Sequence, residues 1–125
     1  MPKKILLVDD EDEILMILKD KLEKSGYEVV VACDGLEAIN KVRTEKPDLM
    51  ILDIMMPKVD GYKAAQIIRD SELKDKKPHL PIVMLTSRVE GISETAGFAA
   101  GTNVYIKKPF EPSEIVWQIE GLIGK

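Results

Sequence analysis

Leu49-Met50-Ile51-Leu52 is a run of four apolar residues with no polar alternation, and it ends on Asp53. A strand exposed on one face alternates, so a run like this predicts a strand covered on both faces. Such strands belong to parallel sheets sandwiched between helices. The same pattern returns at Ile5-Leu6-Leu7-Val8, Val29-Val30-Val31-Ala32, Ile82-Val83-Met84-Leu85-Thr86 and, in shorter form, Val104-Tyr105-Ile106. Helical periodicity fills the spaces between these runs. The first helix carries Ile14, Leu15, Ile17, Leu18 and Leu22 on its inner face and stops at Gly26. The second starts at Gly35, turns Leu36, Ile39 and Val42 inward and is ended by Pro47. The third surrounds Ala64-Ala65-Ile67-Ile68, the fourth runs around Glu90 to Ala100 with Gly91 and Gly97 weakening it, and the last buries Ile115, Ile119, Leu122 and Ile123. Ser71 to Pro81, polar and lysine-rich with two prolines, reads as a surface loop with room for a helical turn, and His79 within it reads as solvent-facing. Five strands alternating with five helices predict a three-layer, doubly wound α/β sandwich.

The 125 residues suit one domain spanning 1–125, long enough to build a core without staples. A formal charge of -4, from 22 acidic and 18 basic residues, argues against a nucleic-acid partner, because phosphate binding needs clustered cations. Neither a membrane-spanning stretch nor a secretory leader is visible, and the single cysteine rules out an internal disulfide or a cysteine-based metal site. These features predict a cytoplasmic protein without membrane insertion.

The chemistry-bearing residues gather at the carboxyl ends of the predicted strands. Asp9 and Asp10 follow the first, Asp53 ends the third, Thr86 ends the fourth and Lys108 follows the fifth. Ligands of open α/β sheets bind outside those ends, where the strand order reverses. The order 2-1-3-4-5 makes these four strands neighbours and excuses the second, which lies at the edge. Within the acidic run Asp9-Asp10-Glu11-Asp12-Glu13, Asp12 can cap the first helix and Glu13 suits its positive end, but Asp9 and Asp10 have no such explanation. Three carboxylates meeting in one crevice call for a cation, and oxygen-only ligands suit Mg²⁺ or a similar hard ion such as Mn²⁺. Lys108 and the Thr86 hydroxyl would face phosphoryl oxygens, and carboxylates are known covalent acceptors of phosphoryl groups. The chemistry alone points to Mg²⁺-dependent phosphoryl transfer onto an aspartate, with Asp53 as nucleophile.

Val8-Asp9-Asp10, Asp53 with Met56-Pro57 and Asp60-Gly61, Thr86-Ser87, Gly101, Tyr105 and Lys108-Pro109-Phe110, in that order and spacing, resemble the receiver domains of two-component response regulators. The stand-alone chemotaxis-regulator type is the most similar. The resemblance runs from Ile5 to Ile123 and implies the flavodoxin-like form of the fold. It also implies Asp53 as phosphoacceptor, Asp10 as a direct metal ligand, Asp9 as one acting through water, and the Met55 main-chain carbonyl as a further ligand. Lys108 would pair with the phosphoryl oxygens. Thr86 and Tyr105 would form a switch in which the hydroxyl moves toward the phosphoryl group and the ring turns inward. Met55 by its side chain and Arg88 correspond to positions that tune phosphoryl lifetime. Thr102 and Ser87 depart from the commonest residues, away from the acid cluster.

The implied donor is a sensor histidine kinase or a histidine phosphotransfer protein, and the output is a downstream target protein or a phosphorylation-dependent dimer. The implied protein is a switch rather than a turnover enzyme. A relay intermediate that passes its phosphoryl group to another histidine fits the same residues. An aspartate-based metal-dependent phosphohydrolase would need a second acid and a substrate pocket, which the sequence does not offer. A flavin or nucleotide binder would need a Gly-rich loop after the first strand, where acids stand instead. Trp117 turns away from the buried face of the last helix, with Gly121 one turn on, which marks a surface of the fourth helix, fifth strand and last helix for a partner.

Overall fold

The computed structural model describes residues 2–53, 61–86, 103–107 and 110–124, the side chains of Tyr62, Thr86 and Tyr105 excepted. Its elements are β1 (Lys4–Val8), α1 (Asp12–Lys24), β2 (Glu28–Ala32), α2 (Gly35–Glu45), β3 (Leu49–Asp53), α3 (Gly61–Asp75), β4 (Ile82–Thr86), β5 (Val104–Lys107) and α4 (Pro112–Ile123). All five strands pair in parallel in the order β2-β1-β3-β4-β5. The predicted architecture and strand order stand. The predicted helix count does not: four helices, not five, are present among the described residues. The helix expected around Glu90 to Ala100 lies outside the described residues.

The unalternating strands are explained by two separate cores. Ile5 and Leu7 of β1, and Leu49 and Ile51 of β3, pack with Leu15, Leu18 and Leu22 of α1 and Ile115 and Ile119 of α4. Leu6 and Val8, and Met50 and Leu52, point to the opposite face and pack with Ala38 of α2 and Ala64, Ala65 and Ile68 of α3. Side chains alternate along a strand, so a strand with a core on each side has no position left for a polar residue. The placement of the helices follows from one rule of handedness. The step from β1 to β2 travels one way along the sheet, and the steps from β2 to β3 and from β3 to β4 travel the other. Crossovers of one hand that travel in opposite directions lie on opposite faces.

Several local expectations are corrected by the three-dimensional packing. On α1 the stripe Leu15-Leu18-Leu22 faces the core, and at 100° per residue Ile17 falls roughly 130° from its centre, so it is half-exposed. Leu36 is likewise exposed, because Ala38, with Ile39 and Val42 beside it, forms the inner face of α2. Leu122 is more exposed than expected near the end of α4, whereas Val116 joins the core. Asp12 does not cap α1. The cap position belongs to Glu11, and Asp12 sits in the first turn. The cap on α2 is made by Asp34, whose Oδ1 accepts from Glu37 N at 2.8 Å.

Residues Ser71 to Asp75, read from sequence as loop, are the last turns of α3. Glu72, Leu73 and Lys74 are good helix formers, the two prolines lie beyond them, and side-chain bonds anchor the segment. Arg69 donates to both Glu72 carboxylate oxygens at 2.9 Å, and Glu72 accepts from Leu80 N at 2.7 Å. Arg69 also reaches Asn103 Oδ1, which accepts from Ile82 N and contacts His79 Nε2 at 3.2 Å. His79 is solvent-facing as expected, but it belongs to this clasp between α3, β4 and the residue before β5.

Tyr27 closes the opposite side of the molecule. Its hydroxyl, on a side chain only 4% exposed, donates to the Gly124 carbonyl at 2.9 Å and so ties the entry of β2 to the end of α4. Burial raises the pKa of this phenol, and the Glu120 carboxylate adds to the effect. The folded protein therefore holds the proton more tightly than the unfolded chain. The stability this contributes is full below the unfolded value of about 10 and is lost as pH rises through the higher folded value. Tyr27→Phe is expected to cost about 1 kcal/mol below that range and to flatten the alkaline loss of stability. Urea unfolding at a series of pH values measures both. Lys4, whose pKa is raised first by its hydrogen bond to Glu45, titrates in the same region but is common to both proteins and cancels in the comparison.

Candidate phosphoryl and metal site

β1 and β3 lie side by side with Val8 opposite Leu52, so the next residue of each strand, Asp9 and Asp53, comes out at the same edge of the sheet. Because β2 lies on the other side of β1, this edge is the point where the strand order reverses. Asp9 is fully buried and Asp53 is 3% exposed, and they are the only buried charged residues among those described. The Asp9 backbone extends the pairing with β2 by donating from its N–H to the Ala32 carbonyl at 3.2 Å. Its Oδ1 accepts from Glu11 N at 2.9 Å, which folds residues 9 to 11 into a tight turn ahead of α1. Asp10 and Glu11 are exposed at the mouth of the site. One carboxylate oxygen from each of Asp9, Asp10, Glu11 and Asp53 lies within 4.8 Å of the others.

Like charges at that spacing repel by about 1 kcal/mol per pair in bulk water and by several times as much where water is partly excluded. A cation resolves the conflict, and the donors specify which kind. All are oxygens, so the site suits a hard divalent ion. Octahedral Mg²⁺ holds oxygens at about 2.1 Å, so opposed ligands stand about 4.2 Å apart. Oxygens that all lie within 4.8 Å of one another are close enough to gather around one such ion, so the donor set fits it.

The remaining predicted site residues are placed less completely. Thr86 ends β4 beside Lys107 of β5, and Tyr105 pairs with Met84, so both backbones lie on strands next to β3, or one strand further. Met55, Arg88 and Lys108 lie outside the described residues. Trp117 lies on α4, 71% exposed, and the surface around it is shared with Gln118, Gly121 and Leu122. Glu11 is a member of the carboxylate group that sequence reasoning left without a role. Its position directly after Asp9-Asp10 is the one sequence signal, and the backbone turn onto Asp9 Oδ1 is what brings it into the group.

A family model described as "Response regulator receiver domain" matches residues 5–120, which includes every described member of this carboxylate group. The chain belongs to the response regulator receiver family. It is 42% identical over 125 residues to the alkaline phosphatase synthesis transcriptional regulatory protein PhoP of Bacillus subtilis, covering all of this chain and half of that protein. The chain thus spans about half the length of the curated relatives it matches. Among solved structures, the receiver domain of a sensor histidine kinase from Pseudomonas aeruginosa, with a magnesium ion coordinated in its active site cleft, superposes with a TM-score of 0.87 at 29% identity, each chain covered completely. The receiver domain of a Saccharomyces cerevisiae response regulator, crystallised with its upstream histidine phosphotransfer protein, superposes with a TM-score of 0.90 at 25% identity over 95% of this chain and 87% of that one.

This receiver domain is a phosphorylation-activated switch that accepts a phosphoryl group at its aspartate cluster, and it is not an enzyme of ordinary turnover. No helix among the described residues is long and apolar enough to cross a membrane.

Proposed function

We propose that residues 1–125 act as one receiver domain in which Asp53 is the phosphoacceptor. Asp9 and Asp10 hold a divalent cation with it, and the Met55 carbonyl completes the protein's share. The observation that carries this reading is the buried Asp9 and Asp53 pair, whose oxygens converge with those of Asp10 at the switch point of the sheet. Mg²⁺ is the resident ion of this reading, with Mn²⁺ able to replace it; when bound, it offsets the negative charge gathered between the carboxylates and the incoming phosphoryl oxygens. A carboxylate oxygen of Asp53 forms the new bond to phosphorus while the bond to the donor's imidazole nitrogen breaks, and that nitrogen keeps the electron pair. Lys108 and the Thr86 hydroxyl bind the transferred oxygens. Thr86 and Tyr105 then convert the new hydrogen bonds into a change of surface.

The donor is a sensor histidine kinase or a histidine phosphotransfer protein. The test uses a small acyl phosphate as donor and intact mass as readout. A gain of one phosphoryl group is expected with Mg²⁺ and none with a chelator. Uptake that the chelator leaves untouched would overturn the metal-dependent reading.

The output surface in this reading is centred on Trp117, which binds a downstream target protein or a second copy of the chain once Asp53 is phosphorylated. An exposed tryptophan beside Gly121, with nothing within 4 Å of where a side chain would start at that glycine, offers a large ring next to an open floor. Trp117→Ala is expected to weaken a phosphorylation-dependent association by about 2 kcal/mol or more, roughly thirtyfold, and to leave phosphoryl uptake unchanged. Sedimentation of the phosphorylated protein, alone and with candidate targets, measures the loss.

A further inference from the structure

β2 stands at one end of the sheet and, among the described residues, pairs only with β1. On the β1 side its Ala32 carbonyl accepts from Asp9 N. The backbone groups of successive strand residues point to opposite sides, so Val31 and Cys33 turn theirs toward the free edge. The strand reads Glu28-Val29-Val30-Val31-Ala32, a β-branched run without proline, and Val31 is only half-buried. A bare edge of this composition is a template for another strand. Two side chains of α2 close it. Lys41 Nζ donates to the Val31 carbonyl, and Cys33 N donates to Glu37 Oε1 at 2.7 Å. The ammonium and carboxylate also face each other at 3.8 Å.

Helix chemistry alone explains neither contact. In a capping box, Glu37 would accept from the N–H of the cap residue, Asp34; it reaches one residue further back, to the edge of the sheet. An exposed i,i+4 ion pair contributes little by itself, yet this one spans two backbone groups that an added strand would need. We propose that Glu37 and Lys41 form an edge guard, which keeps β2 from pairing with the β2 of a second copy. A second copy is the strand most in need of exclusion. Two β2 edges related by a two-fold axis pair antiparallel, set valine against valine, and join two five-stranded sheets into one. With the guard in place, that pairing must strip both side chains from the edge in each copy and leave their charges against apolar strand. The guard acts in the unphosphorylated chain and is independent of the carboxylate group.

The experiment is sedimentation velocity of the full chain over a wide concentration series, with no phosphoryl donor present. Glu37→Met combined with Lys41→Met keeps two long helix-forming side chains and removes both polar ends. This double variant is expected to self-associate with a Kd at least about tenfold lower than that of the wild type. Lys41→Met alone, which leaves the bond from Cys33 to Glu37, should shift the Kd less in the same direction. Lys19→Met combined with Glu23→Met removes a comparable ion pair, 3.2 Å long, from α1 and should match the wild type. Hydrogen exchange locates the contact: the Val31 and Cys33 amides should exchange more slowly in the associated double variant than in its dilute monomer. Urea unfolding at low concentration checks folding, and if the double variant does not fold, Lys41→Met decides by the same readings. A folded variant that sediments as the wild type does would overturn the guard. Equal association of the α1 control would also overturn it, by reducing the effect to added surface methionine. So would association that leaves exchange at Val31 and Cys33 unchanged, because the contact would then lie elsewhere.

Discussion

Asp53→Asn is expected to lower phosphoryl uptake by on the order of a thousandfold or more, with the fold intact. The amide keeps the shape of the carboxylate but has no anionic oxygen to attack phosphorus. The fold should tolerate the change, because one charge leaves a group of four carboxylates whose oxygens lie within 4.8 Å of one another. Without Mg²⁺ the variant should therefore unfold at the same or a higher temperature than the wild type. Asp9→Asn separates the nucleophile from the metal ligands. It weakens the cation's hold but leaves Asp53 in place, so excess Mg²⁺ should recover much of its uptake and none of that lost in Asp53→Asn. Rates of mass gain across a Mg²⁺ series measure the distinction. Equal rescue of the two variants would mean that Asp53 is only another ligand.

The second large effect falls on stability. Leu52 immediately precedes Asp53, is fully buried and packs among Val8, Ala64 and Met84 in the core between the sheet and α2 and α3. Leu52→Ala removes three carbons from a site walled by strands on both sides, where collapse around the gap is restricted. A loss of about 3–5 kcal/mol is expected. Against a total of about 5–15 kcal/mol for a domain of ordinary stability, that is enough to leave the variant marginal. Leu73, 81% exposed on α3, is the internal comparison, and Leu73→Ala should stay within about 0.5 kcal/mol of the wild type. Urea unfolding reads both, the first as a lower midpoint with little change of slope. A small effect at Leu52 would mean that β3 is not held between two rigid layers.

The strands were legible because burial on both faces leaves a strong local mark, and their order because Asp9, Asp10, Asp53, Thr86 and Lys108 follow four of them and leave the second for the edge. Leu6 and Leu7 are adjacent in sequence and enter different cores, so neither could be polar. The position of Asp9 and Asp53 was legible for a related reason: a carboxylate directly after such a run must emerge at the sheet's edge. What sequence did not disclose depends on contacts made at a distance. The last turns of α3 are secured by Glu72, which holds Arg69 within the helix and Leu80 beyond it, a bond across eight residues that local propensity does not register. Leu36 and Ile17 are apolar residues on helices, and only the angular position of the true core stripe shows that they face outward. Glu11 was hidden because membership of the carboxylate group depends on a backbone turn onto Asp9. The count of five helices rested on a glycine-interrupted segment, and four are present among the described residues.

The central claim is that the phosphoryl group lands on Asp53, and chemical mapping tests it most directly. The protein is loaded from a small acyl phosphate with Mg²⁺, reduced with borohydride, digested and sequenced by mass spectrometry. An aspartyl phosphate is a mixed anhydride, and borohydride reduces it to an alcohol, leaving homoserine where the acceptor stood. Homoserine at position 53, absent when a chelator replaces Mg²⁺, is the predicted result. Homoserine at position 9 or 10, or a phosphoryl group that survives reduction on a serine or threonine, would contradict it.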